Sequence, residues 1–213
     1  MISFSNLSLL IIAYMMGSIP SAVWIGRMFY GIDVREYGSG NAGATNTFRV
    51  LGKRAGLPVL ILDILKGFFA VKLAFLTGMY YPGTQQFINL ELSLGMASLI
   101  GHIFPLFAGF RGGKGVATLL GILCAVHIGA ALICAGVFIV TLMLSQYVSL
   151  SSMMAALTFP ISIMFIYHET MPGLNIFSMF VCVLVLITHQ KNIERLIRRE
   201  ESKIDFLPRR KMG

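Results

Sequence analysis

Residues 116–144 run through 29 positions without one charged side chain. As a single α-helix this stretch would be about 43 Å long at 1.5 Å per residue, against a bilayer hydrocarbon core of about 30 Å. Further apolar runs fall at about 5–26, 57–81, 90–108, 149–167 and 174–188. The chain is 56% hydrophobic and 12% charged, where soluble domains carry roughly 25% charge. Blocks of this length require helices in lipid; a membrane β-barrel shows only weak alternation over about ten residues. The sequence predicts an all-α, polytopic transmembrane helical bundle, a single membrane-integral domain over residues 1–213.

The charges set the topology. Of 17 Lys and Arg, 15 lie in three polar segments, 27–54, 109–115 and 189–213, and none lies in 1–6, 82–89 or 168–173. Basic segments stay on the cytoplasmic side. Keeping all three there demands an even number of spans after residue 115. We therefore divide 116–147 into two short helices breaking near His127–Gly129, which gives seven spans, the N-terminus outside and the C-terminus cytoplasmic. No charge precedes Arg27, so the start lacks the basic region of a signal peptide and reads as a retained first span. The net charge of +8 then belongs to an anionic membrane face rather than to nucleic acid. Cys124, Cys134 and Cys182 sit in apolar runs without CxxC spacing and read as packing residues. Four scattered histidines with no acidic cluster predict no metal site.

Each basic segment carries phosphate-like chemistry. In the first, "GSGNAG" at 38–43 matches G-x-G-x-x-G, but a span rather than a strand precedes it, so a dinucleotide fold is excluded. Its glycines expose backbone N–H groups. Ser39, Asn41, Thr45, Asn46 and Thr47 add neutral polar groups, and Arg49 adds a planar cationic fork suited to phosphate. A solvated interfacial loop with a basic edge is the alternative. In the second segment, "GFRGGKGVAT" is not a Walker A loop: Ala108 stands where that motif needs glycine, and Gly115 where it needs Ser or Thr. What remains is a glycine turn with Lys114 at its apex, Arg111 beside it and a helix starting near Val116, which suits an anion. The alternative is a loop whose glycines merely turn the chain. In the third, His189 and Asn192 share a helical face at the membrane edge. Arg195, Arg198 and Arg199 suit anionic headgroups. Within the spans, Asp63 and Lys66 are spaced to pair, and His102 is either functional or a structural hydrogen-bond donor. Lys72 lies deeper with no evident role. Ser149 falls at the cytoplasmic end of span six and offers a hydroxyl to a shared pocket.

The stretches "GSGNAGATNTFRVLGKRAG", "GHIFPLFAGFRGGKGVAT" and "HQKNIERL", with "GSIPSAVWIGR" and "LDILKG", together resemble the bacterial acyl-phosphate:glycerol-3-phosphate acyltransferase family over nearly the whole chain. That resemblance implies a seven-span inner-membrane enzyme with a cytoplasmic active site. The family transfers a fatty acyl group from acyl phosphate to glycerol 3-phosphate, giving lysophosphatidic acid and inorganic phosphate in phospholipid synthesis. Carried onto this chain, it implies that Ser39, Asn41, Thr45, Asn46 and Arg49 hold the reacting phosphates. Gly112, Gly113, Lys114 and Gly115 form the glycerol-3-phosphate site, and Ser149, His189 and Asn192 complete it. Asp63, Lys66, His102 and Glu201 are expected to be structural. The family's third motif continues with glycine before its glutamate; here Arg199 takes the glycine position and Glu201 the glutamate.

No nucleophile–base pair or triad is visible, so the expected chemistry is direct attack by the glycerol hydroxyl without an acyl-enzyme. A substrate phosphate oxygen, or more weakly His189, takes the proton. No cofactor is expected. The expected partners are the two substrates and membrane lipids, with a monomer favoured. Two other classes fit a cationic pocket: a transporter for small organic phosphates, which needs polar groups on both faces, and a receptor for anionic lipids, which binds without turnover.

Overall fold

The structure is a computed structural model that describes residues 4–204. Ten α-helices follow in order among the described residues: α1 (Phe4–Gly17), α2 (Ser21–Tyr30), α3 (Ala44–Leu51), α4 (Lys53–Lys72), α5 (Gln85–Ile103), α6 (Val116–Val126), α7 (Ile128–Ser145), α8 (Val148–Ile161), α9 (Pro172–Thr188) and α10 (Gln190–Ile197). No strand occurs among these residues. The expected all-helical fold is what the chain adopts.

Hydropathy alone does not show where the spans break. The first apolar run divides into α1 and α2, bent by 42° at residues 18–20. Pro20 is the cause: it has no N–H to donate, and the residue before a proline is pushed out of the helical region. A second bend of 59° separates α9 from α10 at His189. The run 116–147 divides at His127, whose Nδ1 caps α7 by accepting the Ala130 N–H at 3.1 Å. The halves are unequal, 11 residues in α6 and 18 in α7, so only the first is short. Three stretches are long and apolar enough to cross a membrane alone, Gln85–Ala108, Ile128–Ser145 and Val148–Ile166, and each bent pair meets the same length and composition as a unit. The helix α4 is 20 residues long but carries Lys53, Arg54, Asp63, Lys66 and Lys72.

The core is built by close backbone approach. The α4–α6 pair is the most extensive, followed by α1–α5 and α7–α8. A Cβ on Gly67 would lie 2.2 Å from the Thr118 carbonyl oxygen, and one on Gly121 would lie 1.9 Å from that of Ile64. Small residues let membrane helices touch where lipid offers no hydrophobic drive. One apolar cluster, including Leu99, Ile122, Phe159 and Val181, joins α5, α6, α8 and α9; a second, including Ala13, Ala70 and Leu94, joins α1, α4 and α5.

This packing also gives Lys72 its partners. Its ammonium donates to the Ala125 carbonyl at 3.0 Å, near the C-terminus of α6, lies 3.7 Å from Glu91 and sits over the Phe68 and Phe75 rings. A cation at a helix C-terminus meets the negative end of the dipole and an open carbonyl. Lys72 therefore ties α4, α5 and α6 together at the end opposite the basic loops.

Candidate active site

One cavity of ≈ 970 Å³ is lined by parts of all three basic segments. Ser39, Asn41, Thr45, Asn46 and Arg49 come from α3 and the loop before it, Lys114 and Gly115 from the turn before α6, Ser149 from the first turn of α8, and His189 and Asn192 from the α9–α10 bend. Its other walls are apolar: Leu119, Leu120 and Leu123 of α6, Phe138 and Leu142 of α7, Ala156 and Phe159 of α8. A space with a cationic end and an apolar end can hold a phosphate and a hydrocarbon chain together.

The polar end is held by a carboxylate. Glu201 accepts from the Ser149 hydroxyl at 2.7 Å, the Asn192 amide at 2.6 Å and the Arg195 guanidinium at 2.8 Å. Burial opposes its ionisation, but these three donors outweigh burial and hold the carboxyl below its ordinary range. Lys114 donates to the Asn192 side-chain oxygen, which links the second basic segment to the third. Burial pushes the Lys114 ammonium down to about 8; Glu201 works against that shift, while Arg195 and Arg49 add to it by repulsion. Arg49 has no hydrogen-bond or carboxylate partner among the described residues and lines the same space. Like charges converging without matching carboxylates make a site for an anion.

His189 has a defined tautomer. Its Nδ1 lies 2.8 Å from the Val185 carbonyl oxygen, which can only accept, so Nδ1 carries the proton and Nε2 of the neutral ring is an acceptor. Asn46 is fully engaged: its amide donates to the Val34 and Tyr37 carbonyls at 2.8 and 3.1 Å, and its oxygen accepts the Ser39 N–H at 2.9 Å. Its side chain fixes the loop that presents Ser39.

Two of the sequence-derived residues stand apart. Gly112 and Gly113 lie outside the large cavity, in a small crevice with Ile19, Pro20, Lys66 and His102. Their N–H groups donate to the Ile103 and His102 carbonyls at 3.2 Å each. In this arrangement their amides close a turn. At the anion end, Gly115 takes φ 80° and opens α6, whose first residues Val116 and Ala117 line the cavity.

A buried network adjoins the polar end, and two of its members, Asp63 and His102, also line the cavity. Asp63 pairs with Lys66 at 2.9 Å and accepts from the Ser21 hydroxyl at 3.0 Å. Lys66 also donates to the Ile19 carbonyl at 2.9 Å, inside the break between α1 and α2. His102 Nδ1 lies 3.1 Å from the Thr118 hydroxyl and 3.7 Å from Asp63.

Sequence reasoning missed Arg35. Its guanidinium grips Asp33 at 2.7 Å and reaches the carbonyls of Ala108 and Arg111 at 2.7 and 3.2 Å, so it clamps the first basic segment onto the second. Those side-chain bonds raise the Arg35 pKa further and hold Asp33 well below the usual carboxylate range, Arg35 being the largest cause. The local D-x-R spacing was legible; the acceptors, more than seventy residues on, were not. Arg195, read as a headgroup ligand, instead binds Glu201 and lines the cavity.

Arg199 holds φ 60° at the end of α10 with its side chain exposed. A left-handed conformation is strained for any residue with a Cβ. Arg199→Gly is expected to stabilise the protein by roughly 0.5–1 kcal/mol, read from thermal unfolding in detergent. An unchanged or lower midpoint contradicts that strain.

A sequence model described as glycerol-3-phosphate acyltransferase matches residues 7–199. A protein of that name from Chlorobium phaeobacteroides is 40% identical over 227 residues, covering 94% of this chain and 97% of the relative. One from Enterococcus faecalis is 42% identical over 206 residues, covering 93% and 91%. Among solved structures, the glycerol 3-phosphate form of PlsY (YgiH), an integral membrane glycerol 3-phosphate acyltransferase, superposes with a TM-score of 0.84 at 35% identity, covering 94% of this chain and 96% of that one. The lysophosphatidic acid form of the same protein gives a TM-score of 0.80 at 34% identity.

Proposed function

Because this chain belongs to the glycerol-3-phosphate acyltransferase family, we propose that its cavity moves a fatty acyl group from acyl phosphate to glycerol 3-phosphate. The products are lysophosphatidic acid and inorganic phosphate. The observation that carries this reading is the single cavity with Arg49 and Lys114 at one end and α6–α8 apolar walls at the other.

The reaction is a direct substitution. The free primary hydroxyl oxygen of glycerol 3-phosphate attacks the acyl carbonyl carbon, an ester bond forms, the carbon–oxygen bond to phosphate breaks, and phosphate leaves with that electron pair. The hydroxyl proton passes to a phosphate oxygen of the substrate, or to His189 Nε2. The anhydride already has a good leaving group, so the protein's task is to bring two anions together. Lys114, Arg49, Ser39 and the N–H groups opening α6 offset their repulsion, while Asn41, Thr45, Ser149 and Asn192 orient them. The acyl chain lies along the apolar walls and enters from the inner leaflet.

In this reading the chain crosses the membrane seven times: the three single stretches and two bent pairs have the length and composition for five crossings, and α4 and α6 are assigned the other two. A polar depth is tolerable in α4 because Asp63 and Lys66 pair there. By the positive-inside rule the N-terminus is outside and the cavity opens to the cytoplasm of a bacterial inner membrane. Residues 205–213, the last part of the basic tail, lie outside the described residues. The whole chain, 1–213, works as one domain, a monomer without cofactor.

The donor is tested by supplying the purified protein with glycerol 3-phosphate and either acyl phosphate or an acyl thioester. Turnover is expected with acyl phosphate alone; equal turnover with the thioester contradicts the proposed donor.

Lys114 also sets a pH dependence. With the Lys114 pKa lowered to about 8, the free enzyme holds the cation below that pH and loses it above. The kcat/KM for glycerol 3-phosphate is expected to be about tenfold lower at pH 9 than at pH 7. Lys114→Arg, which does not titrate in this range, is expected to flatten the profile. A wild-type profile level to pH 9.5 contradicts the assignment.

A further inference from the structure

We propose that His102 is a positioning residue for glycerol 3-phosphate binding, acting through Lys114 by holding the turn before α6 at both of its ends. This rests on the glycerol-3-phosphate reading of the cavity given above. The ring meets Thr118 at 3.1 Å on the far side of Lys114, and the His102 carbonyl accepts the Gly113 N–H at 3.2 Å on the near side. One residue thus grips the chain immediately before the lysine and one turn after it.

The fit is close enough to explain the paired glycines. A Cβ on Gly112 would lie 2.0 Å from the His102 carbonyl oxygen, and one on Gly113 would lie 2.3 Å from His102 Nε2. The turn therefore lies flat against the histidine, and no side chain fits between them. His102 is itself held from behind. It is 5% exposed, and Asp63, at 3.7 Å, is fixed by Ser21 and Lys66. The lysine ammonium has its other restraint at Asn192. With stem and tip both fixed, Lys114 meets a phosphate without first losing side-chain freedom, which is where preorganisation contributes to affinity. A displacement of about 1 Å at such a group costs up to roughly a hundredfold in function.

The test compares His102→Leu, His102→Asn and Thr118→Val in detergent-purified protein. Each variant is read by KM for each substrate, by kcat and by the calorimetric Kd for glycerol 3-phosphate. His102→Leu and Thr118→Val are expected to raise KM and Kd for glycerol 3-phosphate roughly tenfold or more, with KM for acyl phosphate unchanged. His102→Asn, whose amide stands where Nδ1 stood, is expected to return most of the loss. If His102→Leu does not fold, Thr118→Val decides by itself. A fall in kcat or in folded fraction with Kd for glycerol 3-phosphate within twofold of wild type overturns the proposal, because a purely structural residue behaves in that way. Wild-type protein that binds glycerol 3-phosphate but turns nothing over refutes the proposed reaction alone, since the Kd comparison still decides the role of His102.

Discussion

Lys114→Ala is expected to lower kcat/KM for glycerol 3-phosphate by about 10³-fold while leaving the helical fold and the unfolding midpoint close to wild type. The size follows from what is removed: a preorganised, half-buried cation, at a position where one well-aimed donor is worth about 10²–10³ in rate and charge raises the figure. The fold should survive because Lys114 lies in a turn, and Arg49, which has no carboxylate partner among the described residues, gains from losing a repulsive neighbour. Glu201 keeps Ser149, Asn192 and Arg195 without it. Steady-state kinetics with either substrate varied, beside a thermal melt, check the result. A variant that turns over within tenfold of wild type removes the lysine from the binding site.

Asp63→Ala is expected to cost about 3–5 kcal/mol of stability, because it strands a buried ammonium. Asp63 is 1% exposed and Lys66 7%, and the pair lies between α4 and the break separating α1 from α2. Deleting the carboxylate also leaves the Ser21 hydroxyl without its acceptor. Replacing both members, Asp63→Leu with Lys66→Met, should recover much of the loss, since an apolar pair of similar volume has no charge to desolvate. Equilibrium unfolding in detergent measures both. A loss below 1 kcal/mol for the single variant, or a double variant no better than the single, contradicts a pair held for its mutual charge compensation.

The sequence was most legible where the physics is local. A charge-free run is visible residue by residue, and the confinement of basic residues to three segments follows from counting. His127 was legible as a break because no straight helix of that length matches a bilayer. The bend at residues 18–20 was not, although Pro20 stood in plain view. Ser18 and Ile19 keep the apolar run continuous, and hydropathy does not register a lost N–H. Long-range partners were invisible for the same kind of reason. Nothing near Arg35 names Ala108, and nothing near Lys72 names Ala125, because both acceptors are backbone carbonyls and every residue has one. Gly112 and Gly113 show how a correct motif hides its own logic. Glycines beside a lysine suggest amides aimed at an anion, whereas here the amides close a turn and the missing side chains make room for His102. Which residue fills the space that a glycine leaves is fixed only by the tertiary fold.

The most direct measurement supplies the purified, folded protein with acyl phosphate and follows phosphate release and lysophosphatidic acid together, with and without glycerol 3-phosphate. The cavity described above predicts release that depends on glycerol 3-phosphate, with one phosphate freed for each lysophosphatidic acid formed. Phosphate released at the same rate without glycerol 3-phosphate, or no lysophosphatidic acid from folded protein, would contradict it.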